Sequence, residues 1–403
     1  MADVSASCSR PARLVEIFKA FLWLGLTSFG GPIAHLGYFR EEFVKRRRWL
    51  DDARYADLVA LCQFLPGPAS SQVGFALGLQ RGGLAGGLLA WAAFTLPSAA
   101  LLTAFAAGAV LISGPAGDGV IHGLKLVAVA IVAHAVVGMA GKLCPDGPRA
   151  TIAVLAIALI ALFGGVIGMM AAILAGGLAG ALLRSDTSRS PSPEKPSSGG
   201  WQLPLLLFTA LLLGLPLLAS LTDLPGLALV DAFYRAGALV FGGGHVVLPL
   251  LEGSFVQTGQ IEAEAFLAGY GAAQAVPGPL FTFAAYLGYL LAPAQSPMLG
   301  ATLGLIAIFL PGILLLMAIL PIWYRVAHRP KLRGAVAGAN AAVVGVLAAV
   351  LYDPLITSSL DKPLDLALVA AGFVMLAAWK LPPWTVVITL SLSGLGMGWT
   401  GLI

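Results

Sequence analysis

Histidine, serine and glutamine residues beside glycine–proline breaks are the residues of this chain most able to do chemistry. Phe29-Gly30-Gly31-Pro32 precedes His35 by three residues. Gln63 lies three residues ahead of Pro66-Gly67-Pro68, and Ser70-Ser71 follows it. A helix that begins just after such a break presents free N–H groups and roughly half a positive charge, and these ends bind phosphate- and sulfate-like groups. The pattern therefore predicts a site for a small, multiply charged tetrahedral anion.

The same arrangement recurs in the second half of the chain. The second copy comprises Phe241-Gly242-Gly243-Gly244, His245, Gln274, Pro277-Gly278-Pro279 and Thr282. Leu96-Pro97 likewise returns as Leu310-Pro311, and the three landmarks keep offsets of 212, 211 and 214 residues. We interpret this register as a duplication. Paired recurrence favours a binding site over the alternative that each polar residue only caps a helix end.

These two copies define the predicted substrate-binding residues. Serine, threonine and glutamine side chains would donate hydrogen bonds to the anion, and either histidine would contact it or carry a proton, with hydrogen-bonded packing as the alternative. The predicted set is Gly30, Gly31, Pro32, His35, Gln63, Pro66, Gly67, Pro68, Ser70, Ser71, Gly242, Gly243, Gly244, His245, Gln274, Pro277, Gly278, Pro279 and Thr282.

The composition places these motifs in a membrane. The 403 residues are 59% hydrophobic and 10% charged, and the mean hydropathy is +0.91. Soluble domains carry about 25% charge, so an ordinary cytosolic enzyme and a disordered scaffold are excluded. Three cysteines (Cys8, Cys62 and Cys144) are too few and too scattered for a disulfide framework. The composition predicts an all-α polytopic membrane protein.

Hydrophobic segments divide the chain into two halves. Residues 184–200 form a polar linker rich in Pro and Ser that cannot bury a core. The predicted organisation is an N-terminal half, 1–183, the cytoplasmic linker, and a C-terminal half, 201–403. We expect no cleavable signal, so the first apolar run is retained. The thirteen segments are 14–39, 55–80, 84–112, 120–143, 150–163, 165–183, 203–221, 227–251, 265–292, 298–324, 335–352, 364–379 and 384–403.

Loop charges predict that the halves have opposite orientations. Residues 40–54 contain six basic side chains, whereas the matching stretch 250–265 has none. The signs then swap, because 113–119 has only one acidic residue while 324–333 has four Lys or Arg residues. Short basic loops stay in the cytoplasm. Inverted repeats of this kind are typical of secondary transporters.

A topological conflict predicts re-entrant hairpins. The basic N-terminal segment and loop 40–54 both belong in the cytoplasm, yet a single hydrophobic segment separates them. A hairpin that turns at 29–32 removes the conflict, and by symmetry 241–244 turns from the opposite side. The Pro-Gly-Pro segments would be second dips. Nine segments then cross, with the N-terminus inside and the C-terminus outside. Spanning helices with proline kinks remain the alternative.

Other ionisable residues at membrane depth are few. Arg235 would offset substrate charge or snorkel to the interface, and His122 and Lys125 are expected to snorkel. Glu42 and Glu252, at the far ends of the two first hairpins, are candidates for proton coupling.

Signatures of common enzymes are absent from the sequence. It contains no HExxH, no GxSxG and no phosphate-binding loop for ATP. Transport would therefore run on ion gradients, and we expect no cofactor, no metal and no nucleic-acid partner. A passive anion channel and an intramembrane enzyme acting on a lipid phosphate are the alternatives. The enzyme would need a base beside the anion, which only the two histidines offer.

Phe29-Gly30-Gly31-Pro32, Arg47-Arg48-Trp49 and both Pro-Gly-Pro motifs together resemble the chromate ion transporter family. The chain is similar to its long-chain, two-domain members outside residues 1–12 and 184–200. The resemblance implies efflux of chromate across the bacterial inner membrane, with chromate resistance as the result and sulfate as a similar competitor. Transport of another oxyanion remains an alternative. The expected partners are chromate, sulfate and the lipid bilayer, and a homodimer is an open possibility.

Overall fold

The computed structural model describes residues 10–109, 114–183, 200–222, 224–241, 243–293, 295–327 and 329–401. All regular structure in these ranges is helical, which confirms the predicted all-α class. Six of the described helices are long and apolar enough to cross a membrane. Most of the polar linker, 184–199, lies outside the described residues.

The helices of the first half follow the order of the predicted hydrophobic segments. They are α1 (Arg10–Thr27), α2 (Gly31–Phe39, continued by a π-helical stretch Arg40–Arg46), α3 (Asp52–Phe64), α4 (Ala69–Ala109), α5 (Pro115–Leu143), α6 (Gly147–Phe163) and α7 (Gly165–Leu182).

The second half repeats this order after one additional helix, α8 (Gln202–Leu221). Its remaining helices are α9 (Pro225–Leu239), α10 (Val247–Phe255, preceded by a 3-10 turn Gly244–Val246), α11 (Ala263–Ala273), α12 (Phe283–Leu291, preceded by a 3-10 turn Leu280–Thr282), α13 (Pro297–Ile319), α14 (Trp323–Ala327), α15 (Pro330–Val350, continued by a π-helical stretch Leu351–Ile356), α16 (Pro363–Ala377) and α17 (Pro383–Thr400).

Local sequence signals explain where several helices begin and reverse. Asp51 and Asp146 accept hydrogen bonds from the N–H groups of Arg54 and Arg149, so each aspartate caps the helix that follows. Helix α4 contains non-helical backbone at its Gly82–Gly83 pair. Its two parts pack against each other, because a Cβ on Gly78 would lie 2.4 Å from the carbonyl oxygen of Gly86. This reversal matches the predicted boundary between segments 55–80 and 84–112.

The chain turns back on itself at the first glycine break of each half. The ring of Phe21 in α1 stacks on Phe43 at 4.8 Å, and farther along Glu16 accepts a hydrogen bond from the Trp49 indole at 3.1 Å. The repeat-related pair Phe233 and Phe255 joins α9 to α10 at 5.0 Å. These contacts are antiparallel. They favour hairpins over kinked spanning helices, and their depth in the bilayer remains a prediction.

The helices on either side of Pro277-Gly278-Pro279 form another hairpin. The hydroxyl of Tyr286 in α12 donates to the carbonyl oxygen of Ala265 in α11 at 2.7 Å, and the rings of Phe266 and Phe283 lie 5.2 Å apart. Helix α3 packs against α4 at the corresponding place in the first half. Each Pro-Gly-Pro motif therefore lies at the turn between two short packed helices.

The two halves interlock. Helix α5 of the first half packs against α16 and α17 of the second, while α15 of the second half packs against α6 and α7 of the first. Helix α8 packs on α9 and α13 and is mostly exposed. Each half thus completes a helical bundle that begins in the other half.

Glycines allow the interlocking helices to approach closely. A Cβ on Gly180 in α7 would lie 2.2 Å from the carbonyl oxygen of Gly334, and a Cβ on Gly398 in α17 would lie 2.0 Å from that of Pro115. Small residues permit this backbone contact in membranes, where packing replaces the hydrophobic effect as the force that joins helices.

We expect Gly180→Ala to lower the thermal stability of the detergent-solubilised protein, because the new methyl group overlaps α15. Overpacking typically costs about 1–3 kcal/mol. Gly177→Ala is the matched control on the same helix, since its Cβ would meet only the carbonyl oxygen of Ala335 at an ordinary 3.7 Å. Equal melting temperatures for the two variants would contradict the close α7–α15 contact.

Two basic residues predicted to snorkel are instead buried in ion pairs. His122 lies 2.8 Å from Asp365, and Lys125 donates to Glu264 at 2.7 Å. Both basic residues are buried. The prediction was wrong for His122, whose partner Asp365 is fully buried, whereas Lys125 reaches Glu264, which is 63% exposed. These partners lie on α16 and α11, 243 and 139 residues away in sequence.

Candidate substrate site

The four glycine–proline breaks meet at one place. The N–H of Gly67 donates to the carbonyl oxygen of Val240 at 2.7 Å, and the N–H of Gly278 donates to that of Ser28 at 2.9 Å. Gly67 and Gly278 occupy equivalent repeat positions, and so do Ser28 and Val240. The two hydrogen bonds are therefore counterparts that join each Pro-Gly-Pro motif to the other half. Gly242 lies outside the described residues.

Close contact makes glycine necessary in both Pro-Gly-Pro motifs. Gly67 and Gly278 have φ values of 114° and 101°, which L side chains rarely adopt. A Cβ on Gly67 would lie 3.1 Å from the Cα of Gly312, and one on Gly278 would lie 2.8 Å from the Oγ of Ser98. Each motif thus presses against the proline-containing helix of the opposite half.

His35 is the central polar residue of the first-half breaks. Its side chain is fully buried, with Nε2 3.2 Å from the carbonyl oxygen of Ser28 and Nδ1 3.4 Å from the Oγ of Ser70. Its ring packs edge-on against Phe94. The histidine therefore connects the turn before α2 with the first turn of α4.

The predicted hydroxyl residues do not cap the helix ends. Ser71 is buried, and its Oγ has no hydrogen-bond partner among the described residues. The hydroxyl of Thr282 donates to the carbonyl oxygen of Pro279 at 2.7 Å. Helix α2 has no side-chain cap at its start, and neither have the 3-10 turns before α10 and α12. Capping, the alternative interpretation of these residues, is therefore not what the geometry shows.

The two glutamines predicted as a pair lie in different surroundings. Gln63 is exposed, whereas Gln274 is half-buried. A third glutamine, Gln72, has a larger role that the sequence interpretation missed. Its Nε2 donates to the carbonyl oxygens of Pro66 at 3.0 Å and Gly312 at 2.9 Å, so it links the second break to α13 of the other half. In the sequence, only its position directly after Ser71 could have indicated this role.

His245 has a different partner from His35. Its Nδ1 lies 2.7 Å from the hydroxyl of Tyr270 in α11, and the tyrosine is fully buried. His245 directly follows Gly243 and Gly244 and lies in the 3-10 turn before α10. The two histidines are not repeat-equivalent, so the halves differ in their polar side chains around the breaks.

The charged candidates have protein partners. Arg235 pairs with Asp231 one helical turn earlier, an i,i+4 spacing that sequence alone could have indicated. Glu42 accepts from the guanidinium groups of Arg46 and Arg47 at 2.7 and 2.6 Å. Buried Glu252 accepts from the side-chain amide of Gln257 at 3.0 Å.

The hydroxyl and imidazole groups around the first two breaks are buried in this structure. Ser28, His35, Ser70 and Ser71 are at most 4% exposed. A cavity of about 170 Å³ lies elsewhere, between α6, α7 and α15. A second cavity, of about 460 Å³, opens beside α2 and α3. Gly30 and Gln63 are exposed, so the first two breaks reach the protein surface although the hydroxyl and imidazole groups beside them do not.

The fold and the joined breaks define a polytopic helical membrane protein of the transporter class. The chromate transporter family model matches residues 15–181 and 227–397, one region in each half. The chain belongs to the chromate transporter family. It is therefore a multi-pass membrane transport protein and not an enzyme.

Curated relatives agree with this membership over most of their length. A chromate transport protein of Pseudomonas aeruginosa is 28% identical, with 96% of this chain and 92% of the relative covered. A chromate transport protein of Cupriavidus metallidurans is 27% identical, with 95% and 92% covered. An uncharacterized transporter of Methanocaldococcus jannaschii is 25% identical, with 83% of each chain covered. No solved structure matches the chain.

Proposed function

We propose that this protein is a secondary transporter that exports chromate across the bacterial inner membrane and thereby confers chromate resistance. Sulfate, which is a tetrahedral dianion of similar size, would compete for the same site. Membership of the chromate transporter family and two relatives that are chromate transport proteins support chromate as the substrate.

One observation carries the proposal of a central anion site. The reciprocal hydrogen bonds between Gly67 and Val240 and between Gly278 and Ser28 bring four helix breaks together. Irregular backbone is tolerated at membrane depth where it is buried in protein or lines a cavity. Uncapped helix starts beside these breaks offer N–H donors to an anion. Inverted repeats supply the symmetry that alternating access requires.

Chromate uptake into everted membrane vesicles tests this function. We expect uptake that needs an imposed proton gradient, accumulates chromate above its external concentration and falls when excess sulfate is added. Vesicles that contain the Gly67→Leu variant serve as the control. With the membrane potential held at zero, a passive channel would equilibrate chromate without accumulation, so accumulation under that condition distinguishes the two mechanisms.

The proposed topology makes a separate prediction. A Cβ on Gly165 would lie 3.0 Å from the Oε1 of Gln257, so the start of α7 lies beside the segment that follows α10, and Arg81 of α4 pairs with Glu16 of α1. We expect residues 40–54 to face the cytoplasm and 252–264 to face outside.

Single cysteines at two exposed positions measure this orientation. In a chain without its native cysteines, an impermeant maleimide should label Glu262→Cys in whole cells and label Lys45→Cys only after permeabilisation. Both side chains are accessible in the structure. The opposite labelling pattern would refute the inverted hairpins.

A further inference from the structure

We infer that the transported anion is held by three hydroxyl groups of the first half, those of Ser28, Ser71 and Thr95. At the positions equivalent to these three, the second half offers no unbonded hydroxyl. This inference rests on the proposed function, because it assigns the contacts of the same anion site.

The three hydroxyls share an unusual state. Ser28 and Thr95 are 0% exposed and Ser71 is 4% exposed. The hydroxyl oxygen of each has no hydrogen-bond partner among the described residues. Buried polar groups are nearly always hydrogen-bonded, so each exception needs an explanation. Ser28, Ser71 and Thr95 are thus unpartnered donors of one half of the chain, and we assign them as contacts to a ligand with several acceptor atoms.

His35 is the common neighbour of the three segments that carry these hydroxyls. Its Nε2 lies 3.2 Å from the carbonyl oxygen of Ser28, and its Nδ1 lies 3.4 Å from the Oγ of Ser70. Its ring centroid is 5.3 Å from that of Phe94. Ser70 and Phe94 directly precede the other two hydroxyl residues in the chain. Three separate parts of the first half therefore converge on one buried imidazole.

The corresponding positions of the second half cannot supply the same donors. With the repeat offsets of 212, 211 and 214 residues, they are Val240, Thr282 and Phe309. Valine and phenylalanine have no hydroxyl. Thr282 retains one but already donates it to the carbonyl oxygen of Pro279. The duplication thus preserved the backbone of the breaks while the donors around them became unequal.

Hydroxyl donors suit a tetrahedral dianion. Each can donate one hydrogen bond to a separate oxygen. Ser71 lies in the first turn of α4, where backbone N–H groups have no partner within the helix. Arg235, the cation predicted to offset the substrate charge, is paired with Asp231. Recognition by hydroxyl and N–H donors would accept both chromate and sulfate, because both offer four oxygens in the same geometry.

The experiment measures the apparent affinity for chromate in everted vesicles. We expect Ser28→Ala, Ser71→Ala and Thr95→Val each to weaken it about 10- to 150-fold, the loss that corresponds to one hydrogen bond to a charged group. Inhibition by sulfate should weaken in parallel. Thr95→Ser keeps the hydroxyl and should keep wild-type affinity.

Thr103→Val is the matched control, because the buried Thr103 hydroxyl already donates to the carbonyl oxygen of Ala99 in its own helix at 2.7 Å, so affinity should be unchanged. Thr282→Val, at the repeat partner of Ser71, tests the asymmetry and should lose less affinity than Ser71→Ala. The amount of inserted protein is measured for every variant. A packing defect would reduce that amount or the maximum rate, whereas loss of a ligand contact changes affinity.

The possible outcomes separate the two proposals. If wild-type vesicles transport chromate and all inserted first-half variants keep wild-type affinity, the assigned contacts are wrong. Equal losses in Ser71→Ala and Thr282→Val would also overturn the asymmetry. Wild-type protein that moves sulfate but not chromate would refute chromate export, and the same variants would then test the hydroxyls with sulfate. Wild-type protein that moves neither anion would overturn both.

Discussion

Gly278→Ala is expected to abolish chromate transport while the protein still inserts into the membrane. The residue has a φ of 101°, which costs an L-alanine about 1–2 kcal/mol. Its new Cβ would also lie 2.8 Å from the Oγ of Ser98 and 3.3 Å from the carbonyl oxygen of Phe94. Either the Ser98 side chain rotates and gives up its hydrogen bond to the carbonyl oxygen of Thr95, or the backbone moves and strains the hydrogen bond from the Gly278 N–H to Ser28. Transport in vesicles, normalised to inserted protein, measures the effect.

Gly31→Ala provides the control for backbone strain alone. Gly31 also has a positive φ, 75°, but a Cβ there would meet no atom within 4 Å. Partial activity is therefore expected. Wild-type transport by Gly278→Ala would show that the contact between the Pro277-Gly278-Pro279 turn and α4 is not needed for function.

Asp365→Ala is expected to cause the largest loss of stability among the substitutions considered. This aspartate is fully buried, and Oδ1 lies 2.8 Å from the Nε2 of His122. Its Oδ2 accepts from the N–H groups of Asp361 and Lys362 at 3.0 and 2.9 Å. Each hydrogen bond to a charged group typically contributes about 1.5–3 kcal/mol, and the substitution removes three of them. The melting temperature in detergent should fall accordingly.

His122→Ala should be milder, because Asp365 keeps both backbone donors at the start of α16. The comparison assigns the stabilisation to the carboxylate rather than to the α5–α16 packing in general. An unchanged melting temperature for Asp365→Ala, or a greater loss for His122→Ala, would contradict this assignment.

The sequence predicted the elements of the fold well because glycine and proline have strong local effects. Breaks at Gly30, Gly67 and Gly278 appear where the motifs indicated them, each with a positive φ. Residues with distant partners were the difficulty. Lys125 looks like a snorkelling residue in its own helix, and only the tertiary fold reveals that Glu264 reaches it.

The candidate site was predicted in part. The motifs identified His35 and Ser71. Ser28 directly precedes the Phe29-Gly30-Gly31-Pro32 motif and follows another hydroxyl residue, Thr27, while Thr95 lies in an apolar segment, so residue type alone singles out neither. The predicted equivalence of Ser71 and Thr282 also ignored a local competitor, since threonine can donate to its own helix backbone three residues earlier. Which hydroxyls stay available depends on side-chain orientation, and sequence spacing does not determine it.

The exchange of helices between the halves has a consequence for biosynthesis. When α5 leaves the ribosome, its glycine face around Gly119 and Gly123 has no partner until Gly394 in α17 is made near the end of translation. The first half must therefore persist in the membrane with an incomplete bundle, a long-range dependence that slows folding. Two fragments separated within the 184–200 linker should assemble when expressed together. Either fragment alone should be degraded, because its bundle lacks the helices that the other fragment supplies.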